Sequence, residues 1–183
     1  MAKIDREEIL ERAIPLFLEG GYDDTSMAQI AEACGLRKAS LYHHFPDKET
    51  LVLAVIECRH AQFREAIFSI AWEGKGDAAQ RLRRMSDATF KFFKGRKGGC
   101  LLGNFALALA EREPAFQAPL QSYFDEWVGA IAHLLEGAHG PVQSRELALD
   151  AVAQIQGAIM MMRLYQDPKS LRRAVDAVSA LLS

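Results

Sequence analysis

Cysteine is scarce in this chain. Only Cys34, Cys58 and Cys100 occur among 183 residues. They are too few and too scattered for a disulfide scaffold, and no Cys-x-x-Cys pair offers half of a zinc site. Reduced thiols are expected. Runs of about eighteen or more apolar residues are missing, and the opening Met1-Ala2-Lys3-Ile4-Asp5-Arg6-Glu7-Glu8 is charged where a secretory signal needs an apolar stretch. A cytoplasmic location without membrane contact is expected. The chain also lacks internal repeats, low-complexity tracts, a glycine-rich phosphate loop and a nucleophile elbow, so no enzymatic activity and no cofactor are expected. Apolar residues, by contrast, make up 50% of the chain. That is enough to bury a substantial core in one or two domains, and it excludes a disordered chain.

Residues 26–45 carry the most informative pattern. Ser26 and Gln29 have the spacing of a capping box, in which the Ser oxygen takes a backbone N–H at the helix start and the Gln side chain reaches back. Met27, Ile30, Ala31 and Cys34 then fall on one face of a short helix. Gly35 follows where a left-handed residue stops a helix at little steric cost, and Leu36 is placed to plug the angle to a second helix. Leu41 and Phe45, four apart, point inward, which leaves Lys38, Ala39, Tyr42 and His43 facing outward. Pro46 ends the segment. Two short helices joined by a tight turn, with polar residues on the outer face of the second, spell a helix-turn-helix DNA reader.

On these residues the chain resembles the TetR family of bacterial transcription regulators. Before the motif, Ile9, Ala13, Leu16 and Phe17 form a helical stripe that closes at Gly20-Gly21-Tyr22, with Thr25-Ser26 following. After it, Phe45-Pro46-Asp47-Lys48-Glu49-Thr50-Leu51 is similar to the family's link into a long fourth helix. The resemblance is strong over residues 1 to about 60 and holds only in outline beyond. It implies an all-α fold, with a helix-turn-helix DNA-binding domain over 1–60 and a helical ligand-binding and dimerisation domain over 61–183. The function implied is that of a ligand-responsive regulator, most simply a repressor released from a quasi-palindromic operator by a small apolar or electrophilic effector. Its partners would be double-stranded operator DNA, a second copy of itself, and that effector.

Carried over position by position, Thr25, Ser26, Tyr42, His44 and Lys48 are expected at phosphates. Gln29, Arg37, Lys38, Ala39, Ser40 and His43 are expected toward base edges or the groove wall. The family often has Gly at position 39, so Ala39 reduces how near the backbone can come. Charge argues less plainly for DNA. Residues 1–60 hold seven Lys and Arg against eleven Asp and Glu, a net charge of minus four, which departs from the usual basic footprint. The acids cluster at 5–11 and 19–24, away from the stretch 37–48, so binding is expected to rest on a narrow basic stripe and a dimer's doubled contacts.

Beyond the reader, Asp47 is expected to cap a helix running to about Trp72, ended by Gly74-Lys75-Gly76. A second amphipathic run covers 77–93, with Leu82, Met85, Thr89, Phe90 and Phe93 inward and Arg81, Arg83, Arg84, Lys91 and Lys94 on a solvated outer face. Residues 95–99 form a loop, 100–112 a short helix and 114–137 another, broken at His139-Gly140-Pro141. The last two helices are expected at 144–166 and 168–182. Both are too apolar for lone surface helices. The resemblance implies that they pair with their copies in a four-helix bundle, with Ile155, Gly157, Met160, Met161, Val175, Val178 and Leu182 at the dimer interface. The same resemblance puts an effector pocket among helices four to eight, for which Phe63, Ile67, Phe90, Phe93, Cys100, Phe105, Tyr123 and Trp127 are the candidates. Cys100 stands at an expected helix N-terminus just after Arg96 and Lys97, a setting that favours a thiolate, so it is either a reactive sensor or a packing residue.

Two rival readings belong to other classes. Glu57-Cys58-Arg59-His60 and Glu136-Gly137-Ala138-His139 are both Glu-x-x-His pairs, as di-metal helical-bundle enzymes use, although no further inward Glu at matched depth accompanies them and no metal ligand is assigned. The acidic balance of the reader leaves room for a helical adaptor that has lost DNA binding.

Overall fold

The computed structural model describes residues 4–182, and among them only helices, turns and loops occur. The chain divides into two compact units, residues 4–61 with Leu101–Leu120, and Gln62–Cys100 with residues 121–182. Segment 101–120 thus folds with the N-terminal helices although a long stretch of sequence separates them.

The first unit begins with α1 (Arg6–Gly20), capped by the Asp5 carboxylate on the Glu8 N–H at 2.8 Å. Ile9, Ala13, Ile14 and Phe17 are its buried face. Next come α2 (Met27–Ala33) and α3 (Lys38–His44), with Gly35 between them in the left-handed region at φ 64°. That conformation lets the Leu36 N–H turn back to the Ala31 carbonyl at 2.8 Å and closes the turn without a Cβ clash. Leu41 and Phe45 are fully buried, and each fixes α3 by about 2–3 kcal/mol of apolar burial. The Arg6 guanidinium covers the Phe45 ring at 4.4 Å. Helix α4 (Lys48–Ala66) opens on the Asp47 carboxylate, which accepts the Thr50 N–H at 2.7 Å. That bond holds the Asp47 carboxyl below the usual carboxylate range. Helix α6 (Leu101–Leu109) packs on α1, where Phe105 meets Phe17 edge-on at 5.6 Å.

In the second unit the long helix expected to reach Trp72 stops early. After Ala66 the backbone departs from the α-region at Ile67 and continues as a 3-10 segment, Phe68–Trp72. The Ser69 hydroxyl donates to the Glu65 carbonyl at 2.9 Å, competing for an acceptor of the α-helical ladder, and the tighter turn sends Phe68 fully inward. Helix α5 (Ala78–Phe93) begins with a capping box between Asp77 and Gln80. Helix α7 (Pro114–His139) supplies residues to both units, and Gly140, at φ 72°, separates it from α8 (Pro141–Tyr165). A short α9 (Lys169–Ser179) packs on α5 and α8 and ends in a 3-10 turn, Ala180–Leu182.

Candidate nucleic-acid interface

The outer row of α3 follows from its inward anchors. With Leu41 and Phe45 buried, the 3.6-residue period turns Lys38, Ala39, Tyr42 and His43 outward, and Arg37 at the N-cap is also exposed. Tyr42 keeps 46% of its surface although it is large and aromatic. Ser40 and His44 sit half-buried at the edges of the row.

Helix α2 supports that row from beneath. The Ser26 hydroxyl oxygen accepts the Gln29 N–H at 3.3 Å, and the Gln29 side-chain oxygen accepts the Ser26 N–H at 2.7 Å. The Ser26 hydroxyl also donates to that oxygen at 2.8 Å. The Gln29 side-chain carbonyl is therefore engaged in the cap, and its amide nitrogen is the donor that side chain has left to offer. Thr25 is only 3% exposed, and its hydroxyl donates to the Leu16 carbonyl at 3.2 Å. Its side chain points into the unit, so of the sequence-expected phosphate residues it alone is turned away from solvent. The reason is local, because the chain turns back closely on α1 at Gly20, where a Cβ would lie 3.1 Å from the Thr25 hydroxyl, and that hydroxyl is aimed at a backbone carbonyl of the helix.

Lys48 is held in a particular way. Its ammonium lies 4.2 Å from the Tyr22 ring centre and donates to the Asp23 carbonyl at 3.4 Å. Burial lowers its pKa, while the charges of Asp23 and Asp24 act to raise it. Tyr22 packs edge-on against Phe116 at 5.6 Å. The Asp23 carboxylate takes both arms of Arg112, Nη2 to Oδ1 at 2.9 Å and Nη1 to Oδ2 at 3.0 Å. These bonds hold the Asp23 carboxyl below its ordinary range and raise the Arg112 guanidinium above its own. Sequence reasoning missed Arg112 and Phe116, since nothing in the local pattern of 110–116 points toward residues 22 and 23.

The second unit contains an aromatic cluster. Phe63 stands at its centre, with ring distances of 5.8 Å to Phe68, 5.5 Å to Phe93, 5.2 Å to Tyr123 and 5.9 Å to Trp127. Cys100 is buried with its Sγ 4.0 Å from the Tyr123 hydroxyl. The Trp127 indole Nε1 is buried without a hydrogen-bond partner. Of the expected pocket residues, Phe63, Phe93, Cys100, Tyr123 and Trp127 come together here, and Ile67 is buried in the same unit. Two others do not join them. Phe90 is half-buried under the Arg172 guanidinium at 4.8 Å, and Phe105 belongs to the first unit against Phe17.

The expected dimer residues also divide. Ile155, Val175 and Val178 are buried in the protomer's own core, because α9 packs with its apolar face on α5 and α8. Gly157, Met160 and Met161 are exposed, and Leu182 is half-buried. With Leu149, Ala153 and Leu164, the three exposed residues Gly157, Met160 and Met161 form an open apolar stripe along α8, where Met160 is 58% and Leu164 68% exposed. This helix is also long and apolar enough to cross a membrane, as a helix apolar on both faces would be whichever surface covers it.

The two Glu-x-x-His pairs belong to different units, Glu57 and His60 to the first and Glu136 and His139 to the second. His60 is buried while Glu57 is exposed, and the His139 ring nitrogen Nε2 lies 3.0 Å from the Leu181 carbonyl. No group of three or more His, Cys, Asp or Glu side chains among the described residues could hold a metal ion. The di-metal reading is not favoured.

A capped helix-turn-helix with a polar recognition face defines a DNA-binding protein of the all-α regulator class. Comparison with known proteins makes this more specific. Residues 9–55 match the family of bacterial regulatory proteins of the tetR type, and residues 78–178 match the tetracyclin repressor-like C-terminal domain. The chain belongs to the TetR family. It is 27% identical over 179 residues to the HTH-type transcriptional repressor DhaR of Mycobacterium sp. (strain GP1), covering 94% of this chain and 89% of that one. A TetR transcriptional regulator from Chloroflexus aurantiacus J-10-FL superposes with a TM-score of 0.84 at 26% identity, over 96% and 92% of the two chains. A TetR regulator from Legionella pneumophila has the same fold, with a TM-score of 0.87 at 24% identity and full coverage of both chains. The chain is a ligand-responsive DNA-binding transcriptional regulator and not an enzyme. Regulators of this family bind operator DNA, act as dimers and answer small-molecule effectors.

Proposed function

We propose that this regulator is a homodimeric, cytoplasmic repressor, in which residues 1–60 read a quasi-palindromic operator and residues 61–183 bind the effector and the second protomer. The observation that carries the reading is the outward row Arg37, Lys38, Ala39, Tyr42 and His43, set on a helix anchored by the buried Leu41 and Phe45. Ser40 and His44 flank that row, while Ser26 and the Gln29 amide stand at the start of the supporting helix. Lys48 and Tyr42 serve phosphates, and Arg37, Lys38 and His43 meet base edges or the groove wall. Thr25 acts through its backbone, its hydroxyl being turned inward.

Two-fold symmetry delivers two such readers to half-sites about one helical turn apart. The stripe Leu149, Ala153, Gly157, Met160, Met161 and Leu164 supports the pairing, because an apolar face of this length is unfavourable in water until a partner covers it. The effector is a small apolar or electrophilic compound taken up beside Phe63, Tyr123 and Trp127, with Cys100 as the thiol an electrophile would modify. Such a compound releases DNA only by preferring the non-binding conformation, since equal affinity for both states shifts nothing.

The test is selection of bound duplexes from a genomic pool, followed by measurement on a recovered site. Tyr42→Ala and Lys48→Ala should each weaken binding about tenfold. Lys48→Ala should also reduce the slope of log affinity against log salt by about one for each lost phosphate contact. Recovery of no site, or unchanged affinity in both variants, would remove the DNA-reading assignment.

A further inference from the structure

We infer that Arg112 is a positioning residue for DNA binding, keeping the Asp23 carboxylate occupied so that the Lys48 ammonium stays available to a phosphate. The inference rests on the reading of Lys48 as a phosphate contact. It begins from a geometric accident of the α1–α2 turn. Lys48 reaches across that turn and rests on the Tyr22 ring and the Asp23 backbone carbonyl, at 4.2 Å and 3.4 Å. The only part of Asp23 that could capture an ammonium strongly is its carboxylate, and both of its oxygens are taken by the two arms of Arg112 at 2.9 Å and 3.0 Å. A guanidinium is suited to this task, because its planar fork matches a carboxylate in a bidentate pair that a lysine cannot reproduce. Arg112 lies in the turn between α6 and α7, and Phe116, one turn further on, presses edge-on against the Tyr22 ring that carries Lys48. Residues 112 and 116 therefore grip the two neighbours of Lys48 from outside the helix-turn-helix.

Without Arg112, a bare carboxylate would stand beside an ammonium that already touches the same residue's backbone. Lys48 would then pair with Asp23 within the protomer, in competition with the phosphate. Asp24 also attracts Lys48, but Arg112 does not hold it, so its influence is the same with and without Arg112. Both partners of the Arg112–Asp23 pair are more than half exposed, at 54% and 62%, so the pair can be removed with little effect on folding.

The experiment uses the full-length protein and a fluorescein-labelled duplex recovered from the genomic pool by the wild type. Arg112→Ala should weaken binding by roughly threefold to tenfold and flatten the salt dependence as Lys48→Ala does. Adding Asp23→Asn to Arg112→Ala should restore both the affinity and the slope, since an amide carries no charge to capture Lys48. In a Lys48→Ala background, Arg112→Ala should have no further effect. The inference is overturned if Arg112→Ala binds like wild type while Lys48→Ala is weakened. It is equally overturned if Asp23→Asn fails to rescue, or if Arg112→Ala costs the same factor with and without Lys48, because a merely structural role predicts both of those results. Should Lys48→Ala itself bind normally, the phosphate assignment falls and this inference with it, an outcome distinct from failure of Arg112 alone.

Discussion

Trp127 offers a sharp test of where the effector binds. Its side chain is fully buried, packed 5.9 Å from Phe63 and stacked on Phe93 at 6.5 Å, yet its indole N–H has no acceptor. Trp127→Phe removes two ring carbons and that N–H. The carbons are worth about 1.6 kcal/mol at about 0.8 for each buried carbon, and the space left adds about 1 kcal/mol at about 24 cal/mol per Å³ over roughly 40 Å³. Against this stands the relief of an unsatisfied buried donor, about 1–3 kcal/mol. The net effect then lies between a loss of about 1.6 kcal/mol and a slight gain, where the same truncation of a ring whose N–H was satisfied would cost about 2.6 or more. Urea unfolding followed by far-UV circular dichroism measures the difference as a shift in midpoint at constant slope. If the orphan N–H serves the effector, Trp127→Phe should also weaken binding of a compound that releases operator from the wild type, by about tenfold, with the stability kept within that range. A loss of more than about 2 kcal/mol in the urea experiment would refute the reasoning, since it would mean that the N–H is satisfied in the free protein.

Two further outcomes are expected. The double variant Gly157→Glu/Met160→Glu should be monomeric by analytical ultracentrifugation while keeping the wild-type far-UV circular dichroism at 25 °C, because a Cβ at Gly157 meets nothing within 4 Å and Met160 is exposed, and it should melt below the wild type by the stability that pairing supplies; a dimeric variant would place the interface elsewhere. Cys100 should react with a small electrophile and lose operator affinity on modification, whereas Cys100→Ser should keep it under the same treatment. Its burial should slow bulky thiol reagents, and burial also raises the pKa of the Cys34 and Cys58 thiols. Equal labelling of all three cysteines, or loss of binding that persists in Cys100→Ser, would leave Cys100 a packing residue.

The reader was legible because each of its features is local. A capping box spans four residues, a left-handed glycine acts on its own turn, and Leu41 and Phe45 fix a helix face through one period. Where sequence reasoning fell short, a tertiary partner decided the outcome. The 3-10 segment after Ala66 depends on the Ser69 hydroxyl choosing the Glu65 carbonyl and on Arg81 Nη1 taking the Ala71 carbonyl at 2.7 Å. Thr25 reads as a surface residue until the Leu16 carbonyl is seen beside it. Ile155, Val175 and Val178 have the same apolar character as Met160 and Leu164, and only the packing of α9 on α5 and α8 separates core from open face. Periodicity says that a helix has two apolar faces; it does not say which of them the protomer itself covers.

The acidic reader has an explanation in the same terms. Asp5 and Asp47 are acids because the exposed N–H groups at the starts of α1 and α4 call for them. Glu8 is paired with Arg12, and Asp23 with Arg112. These four carboxylates serve helix ends and guanidiniums, and one of those guanidiniums comes from beyond residue 60. The row that faces outward from α3 has no acid at all, running Arg37, Lys38, Ala39, Tyr42 and His43. A phosphate responds to the charges within about one Debye length, roughly 8–10 Å in ordinary salt, and so to that row and Lys48 far more than to the sum over the domain. The net charge of minus four over residues 1–60 therefore describes in large part how the helices are capped and clamped, while the field at the DNA depends on where the cations of α3 and Lys48 stand.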